Sequence, residues 1–512
     1  MVSTQNKRIA KNTLFLYFRM LITMTVSLYT VRVVLNTLGI EDFGIHNVVS
    51  GVVTMFSFLS SSMASASQRY FAFELGRDNL VQLQRVFSAT FIIYVIAAFI
   101  IILLAETVGL WFLNHKMVIP EDRIHAAFWV YQFSIFSLIM TILSVPYNAL
   151  IIAHENMKVF AFTSILEVTL KLLVVYLLVL FSGDRLPFYG ALLFLVTCVI
   201  TFIYRMYCQR KYKESRLILF WDSKMFRELF NYSGWNLFGS LAGVFNNQGI
   251  NIILNLFFGP IVNAARAIAY QVSAAINQFA TNFVTAARPQ ITKYYAMGDR
   301  QQMLNLTYQS SKFSYLMLFF VTAPLIIEAD FVLNLWLKNV PANAVLFVRL
   351  SLICALIEVY SYPLMVAAQA TGRIKRYQVI VGGTMLLNLP VSYLFLEYGF
   401  QPEVVFYVAI CNAVVCLILR LTLLNRMVRL SEFDFFKKVV LPCVLPTSAA
   451  ISLLYFITCF LDSTLIRFLL TIGISILVNF CLGYFFALTK DERRIVQKIF
   501  FFKKINNVKT DN

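Results

Sequence analysis

The residues of this chain most able to do chemistry are arginines set inside long apolar stretches. Arg19 and Arg32 lie in the first such stretch and Arg266 opens the eighth. A charge inside hydrocarbon costs several kcal/mol and ordinarily faces a cavity or a partner. Arginine in addition offers a planar fork of donors suited to phosphate and carboxylate oxygens. Arg32 follows Arg19 by 13 residues, about 20 Å along a helix, and at about 100° per residue the two do not share a face. Arg266 is different, because Tyr270, Asn277 and Thr281 continue its stripe at helical spacing. The preceding stretch carries Asn247, Asn251 and Asn255 on one face. These residues read as a binding surface for an anionic, hydrogen-bonding ligand. The plainer alternative is that the arginines reach to the nearer membrane interface.

Acidic residues in apolar stretches are fewer. Glu167 and Lys171 are four apart, spaced for an intrahelical ion pair, and a neutralised structural pair is the simpler reading beside a coupling role. Glu358 has no local partner and suits proton or cation coupling, or pairing with an arginine of another helix. Glu106, Arg349 and Arg420 lie near the ends of apolar stretches, where snorkelling accounts for them. Ser57, Ser61 and Ser65 mark close helix packing before sugar contact. The cysteines fall in apolar runs with no C-x-x-C pair and behave as small hydrophobes, and the histidines are scattered. No metal site and no cofactor are indicated.

The elements that must position these groups follow from composition. Of 512 residues, 60% are hydrophobic and 13% charged, with a mean hydropathy of +0.75, against roughly 45–50% and 25% in soluble domains. The chain is therefore an all-α polytopic membrane protein. A soluble enzyme, a nucleic-acid binder and a disordered scaffold are excluded, and the net charge of +18 becomes a topology signal. Fourteen spans are expected, near residues 13–38, 44–68, 86–113, 124–152, 159–181, 187–207, 232–258, 261–286, 309–333, 343–368, 377–397, 403–425, 439–461 and 464–488. They are too long and continuous for barrel strands.

If the N-terminus is cytoplasmic, 32 of the 43 Lys and Arg fall at inner ends and loops and 5 at outer ones, which puts both termini inside. The inner segment 208–231, basic and aromatic, is expected to form an interfacial helix, and the C-terminal stretch resembles it.

The sequence repeats itself. Leu35-Asn36 followed by Gly39 matches Leu254-Asn255 followed by Gly259, and Arg69 matches Arg288. Gly76-Arg77-Asp78 matches Gly298-Asp299-Arg300 at an offset of 222, and Ser144-x-Pro146 matches Ser361-x-Pro363 at 217. An offset held near 220 implies two six-helix repeats. An even number of spans per repeat makes them parallel, an arrangement found in transporters. The expected organisation is a half over 1–208, a basic amphipathic linker over 209–230, a second half over 231–428, two additional transmembrane helices over 438–489 and a basic cytoplasmic tail over 490–512.

Fourteen spans, the opening KNTLFLYFRMLITMTVSLYTVRVVLNTLGIEDFG and the start of the second half, NYSGWNLFGSLAGVFNNQGINIILNLFFGP, resemble the polysaccharide-transporter branch of the multidrug/oligosaccharidyl-lipid/polysaccharide (MOP) exporter superfamily. The turn Leu38-Gly39-Ile40-Glu41-Asp42-Phe43-Gly44 is the most characteristic piece. The resemblance implies a flippase of undecaprenyl-diphosphate-linked oligosaccharide in the bacterial inner membrane, working by alternating access, with arginines such as Arg19 and Arg266 reading the diphosphate or acidic sugars. Membrane lipids and a polysaccharide polymerase with its assembly machinery are the partners it implies. The runner-up is a multidrug or cation antiporter of the same superfamily, although the first span carries two arginines and no carboxylate. A membrane polymerase or ligase would carry a sizeable outer loop, and an ATP-driven exporter a P-loop; the sequence has neither.

Overall fold

In a hydrocarbon solvent every backbone N–H and C=O must be satisfied within its own segment, so apolar stretches of this length fold as helices. A computed structural model of the chain describes residues 2–54, 57–115, 120–218, 222–337, 340–460, 465–488 and 493. Among the described residues there are helices and no strands. In chain order they are α1 (Val2–Thr54), α2 (Ser57–Gly76), α3 (Leu80–Leu104), α4 (Leu110–His115), α5 (Ile124–Ala153), α6 (Met157–Leu180), α7 (Arg185–Lys211) and α8 (Ser223–Ala296). The second part continues with α9 (Arg300–Ile327), α10 (Ala329–Leu337), α11 (Ala344–Glu358), α12 (Ser361–Ala370), α13 (Lys375–Glu397) and α14 (Val404–Val428), then α15 (Glu432–Phe435), α16 (Leu441–Phe460) and α17 (Leu465–Leu482).

Ten of the described helical segments are long and apolar enough to cross a membrane. The four remaining expected spans are the limbs of α1 with α2, and of α8, on either side of two glycines. Gly39 has φ 84°, ψ 169° and Gly259 has φ 76°, ψ −169°. That backbone region is essentially closed to any residue with a Cβ, so the break requires glycine. The architecture is that of about fourteen transmembrane helices.

The repeat extends to local geometry. Asn79 caps α3 by accepting from the Gln82 N–H at 3.0 Å, and Asp299 caps α9 by accepting from the Gln302 N–H at 3.0 Å. Each cap follows a residue in the left-handed region, Asp78 with φ 53° and Gly298 with φ 79°. This corrects the register: Gly298 corresponds to Asp78 and Asp299 to Asn79, an offset of 220, in place of the 222 read from the Gly-Arg-Asp match. The position needs a tolerated positive φ followed by a capping oxygen, and the arginine is incidental to both. Glu155 (φ 61°) and Gly372 (φ 75°) are a further left-handed pair, 217 apart.

Backbone contacts divide the chain into two units, Asn12–Leu237 and Met1–Lys11 with Phe238–Asn512. The division falls inside α8. In the first unit α5 packs on α2, α3 and α7, around a core of Val49, Ala127, Val130 and Tyr131, with Tyr94 and Ile142 alongside. In the second, α14 packs on α11 and α13, while α16 and α17 pack on α9. Apolar side chains such as Leu180 and Leu256 stay largely exposed, where lipid is the matching solvent.

The segment after α7 differs from the expected interfacial helix. It is a 3-10 turn, Lys213–Ser215, with Glu214 and Ser215 buried, followed by extended backbone at Arg216 and the start of α8. Glu214 accepts from or pairs with His154 Nε2 at 2.6 Å, and the His154 ring stacks on Tyr212 with centroids 4.1 Å apart. Burial pushes the Glu214 carboxyl upward, but the bonds from His154 and from its own backbone N–H outweigh it and hold the group below the usual carboxylate range. A buried carboxylate with a fixed partner folds the turn inward, which amphipathic patterning alone does not reveal. The basic tail over 490–512 lies outside the described residues, Arg493 excepted.

Candidate functional site

The break at Gly259 turns the two limbs of α8 so that one can hydrogen-bond to the other. Arg266, after the break, donates to the Asn251 side chain and reaches Asn247 twice, at its Oδ1 (2.9 Å) and its backbone carbonyl (3.2 Å). The guanidinium is buried at 9% exposure. These partners are neutral amides, so they orient the fork and satisfy donors without cancelling its charge. The two sequence stripes, one ending in Asn251 and the other starting at Arg266, are halves of one constellation.

That constellation forms a wall of a cavity of about 520 Å³ lined by residues of the second unit. Asn247, Arg266, Tyr270 and Asn277 of the predicted set line it, and so does Glu358. Sequence reasoning missed the opposite walls, because they come from helices 82 to 142 residues away. Ser351 of α11 donates to the Ala269 carbonyl at 3.3 Å, the Tyr362 hydroxyl donates to Asn277 Oδ1 at 3.3 Å, and Asn388 of α13 donates to Asn246 Oδ1 at 2.9 Å. The signal available was a surplus of amides in otherwise apolar spans.

Glu358 lies beside Cys354, with Arg420 of α14 near enough to act on its charge. Arg420 donates from Nε to the Tyr377 hydroxyl at 3.1 Å. Arg349 donates to the Ile326 carbonyl at the end of α9 (2.9 Å) and pairs with Asp330 (2.7 Å).

The first unit holds the other predicted group. The Arg19 guanidinium sits 4.7 Å from the Phe160 ring centroid, within electrostatic reach of Glu167 and Tyr204. Glu167 accepts from Lys171 at 2.6 Å. Arg19 thus belongs to a mixed-charge cluster with α6, where the carboxylate offsets part of its charge. The side chains of Arg32 and Asn255, and of Ser57 and Ser61, lie outside the described residues. Among the described residues no group of His, Cys, Asp and Glu is placed to hold a metal ion.

Residues 9–295 match the polysaccharide biosynthesis protein family. Comparison with curated proteins gives no match. Among solved structures, an outward-facing multidrug-resistance MATE transporter of the MOP superfamily superposes with a TM-score of 0.73 at 11% identity, covering 83% of this chain and 96% of its own. The MATE transporter ClbM in complex with Rb+ gives 0.70 at 16% identity, over 84% and 96% of the two chains. A MOP superfamily transporter from Pyrococcus furiosus, described as having a binding pocket of reverse polarity, gives 0.70 at 12% identity over 83% and 96%. A match over more than half the sequence, together with a superposition over most of each fold, leads to one conclusion: the chain belongs to the polysaccharide biosynthesis protein family and has the fold of the MOP superfamily transporters.

Proposed function

We propose that this protein is a flippase that moves undecaprenyl-diphosphate-linked oligosaccharide repeat units, of the kind used for O-antigen or capsule, across the bacterial cytoplasmic membrane by alternating access. The observation that carries the reading is Arg266: a buried guanidinium oriented by two amides, uncancelled by those contacts, on the wall of an amide-rich cavity. A polar headgroup with anionic oxygens matches that chemistry. Membership in the polysaccharide biosynthesis family supports it. In this reading the protein is a transporter and not an enzyme, both termini are cytoplasmic, and its product passes to a polysaccharide polymerase and assembly machinery outside. Arg19 and Arg266 contact the diphosphate or acidic sugar oxygens, and Glu358 and the Glu167–Lys171 pair are the candidates for coupling.

A cation antiporter is the second reading, favoured by one feature, the Glu358 carboxylate in the same cavity. The experiment that separates the two is complementation of a strain lacking this gene with Arg266→Lys, Arg266→Ala and Arg266→Glu, reading surface polysaccharide and protein abundance together. The flippase reading expects partial export with Lys, which keeps charge but loses the fork, less with Ala and none with Glu. An antiporter expects the Glu variant to be neutral or improved in cation export.

A further inference from the structure

We propose that the connector between the two repeats is a docking surface for anionic phospholipid headgroups. The proposal goes beyond the transport reading and does not depend on what the protein carries.

Six exposed cations, Arg210, Lys211, Lys213, Arg216, Lys224 and Arg227, stand where α7 runs into α8, all in the first unit. Among the described residues none of the six makes an ion pair. Glu214, the buried acid of the stretch, is taken by His154. Exposed Asp222 gives its Oδ1 to the backbone N–H groups of Lys224 and Met225. The surface is left strongly positive.

The fold accounts for only part of this charge. Arg210 and Lys211 occupy the last turn of α7, where cations suit the partial negative charge of a helix end. Lys224 and Arg227 sit in the opening turns of α8, whose first turn holds no acid, and there the helix field opposes a cation. Cations placed where the fold disfavours them point to an anion outside it. The corresponding stretch one repeat later shows the contrast. After α14, Arg426, Arg429, Lys437 and Lys438 are interspersed with Glu432 and Asp434, and Lys438 pairs with Asp434 at 3.1 Å.

The surface is also held in place. Gln84 of α3 donates to the Arg216 carbonyl at 3.0 Å, the Ile218 N–H donates to the buried Ser88 hydroxyl at 3.0 Å, and Met225 and Phe226 are buried. A charged surface fixed before binding loses little freedom on meeting its ligand. Position and composition favour lipid over a soluble acidic partner. The cations begin in the last turn of Arg185–Lys211, a segment long and apolar enough to cross a membrane, which sets them at headgroup level. Leu217 and Ile218, between them, are 45% and 41% exposed, as suits side chains that enter the acyl boundary beneath the headgroups.

The test adds phosphatidylglycerol or phosphatidylcholine to the purified full-length protein in neutral detergent and reads apparent affinity from the rise in melting temperature. The wild type should bind phosphatidylglycerol about tenfold or more tightly than phosphatidylcholine, and should lose most of that preference in about 0.5 M sodium chloride, because salt screens exposed charge. A cation at an anionic surface is worth roughly fivefold in affinity, so the double variant Lys224→Gln, Arg227→Gln should cut the preference to about twofold or less. Without lipid the same variant should melt no lower than the wild type, since it removes cations from a helix N-terminus. The matching charge change in the second unit, Arg426→Gln with Lys437→Gln, should leave the preference within about twofold of wild type. A wild type with no preference, a preference that survives Lys224→Gln, Arg227→Gln, a lipid-free double variant that melts lower, or equal stabilisation by glycerol phosphate or polyglutamate overturns the docking surface. Each of these results leaves the transport reading standing.

Discussion

Within the second unit α17 is tied to the end of α9 by a buried ion pair, and breaking it has a consequence that can be worked out in advance. Glu328, at the C-terminal end of α9, is 1% exposed; it accepts from Arg467 of α17 at 2.7 Å and from the Thr471 hydroxyl at 3.2 Å. Arg467→Ala leaves a carboxylate buried with a single hydroxyl donor, and removal of one partner of a buried pair typically costs about 3–5 kcal/mol. Glu328→Gln keeps an acceptor for Thr471 and leaves an arginine whose side chain is 15% exposed and can reach a wetter environment, so about 1–2 kcal/mol is expected. Replacing both with Met removes the desolvation penalty with the attraction and should come within about 1 kcal/mol of wild type. The double variant should therefore be at least about 2 kcal/mol more stable than Arg467→Ala. The assay is equilibrium unfolding of purified protein in one fixed detergent, with all four proteins compared. An Arg467→Ala protein within about 0.5 kcal/mol of wild type, or a double variant as unstable as the single, would refute the claim that this pair holds the helix.

Gly39→Ala tests the backbone argument cleanly: an added Cβ would meet nothing within 4 Å, so the expected loss of about 1–3 kcal/mol in the same unfolding assay is conformational strain alone. Asn79→Ala and Asp299→Ala, equivalent caps in the two repeats, should each lose about 1 kcal/mol, and a marked inequality would argue against the register of 220. Because Glu214 is held below the ordinary carboxylate range in the fold, its contribution is present in full above the unfolded value, about 4.3, and is lost as pH falls through the lowered one. Glu214→Gln should flatten the acid limb of melting temperature against pH, and an unchanged limb would remove Glu214 from the account. For topology, a cysteine at Ser182 in a cysteine-free background should react with an impermeant thiol reagent in intact cells, and cysteines at Asn79 and Gln301 only after permeabilisation; the reverse pattern contradicts the charge-based orientation.

What the sequence could reveal was set by how local the physics is. The Arg266 stripe and the Asn247–Asn251 stripe were legible because helical periodicity alone puts their members on one face. Their union across Gly259 was not, since a glycine marks where a chain can bend without saying which way. Arg420, whose charge acts on Glu358, lies 62 residues later on another helix, and the Asn246–Asn388 bond spans 142 residues; only packing brings such groups together. The repeat is legible in glycines and prolines, which are tied to backbone geometry, while the Gly-Arg-Asp match is two residues out of the register that the left-handed residues Asp78 and Gly298 set. The segment around Glu214 shows the converse limit: its basic, aromatic composition fits a surface helix, while a single buried contact to His154 folds it into a turn.

The central claim is transport of a lipid-linked oligosaccharide, and the most direct measurement is translocation in proteoliposomes containing only this protein. A fluorescent undecaprenyl-diphosphate-linked oligosaccharide placed in the inner leaflet would be followed by its accessibility to an impermeant lectin outside. The account predicts protein-dependent exposure of the sugar, reduced by Arg266→Lys and abolished by Arg266→Glu at equal reconstitution. No exposure above empty vesicles, in a preparation that exchanges organic cations for protons or sodium, would contradict it.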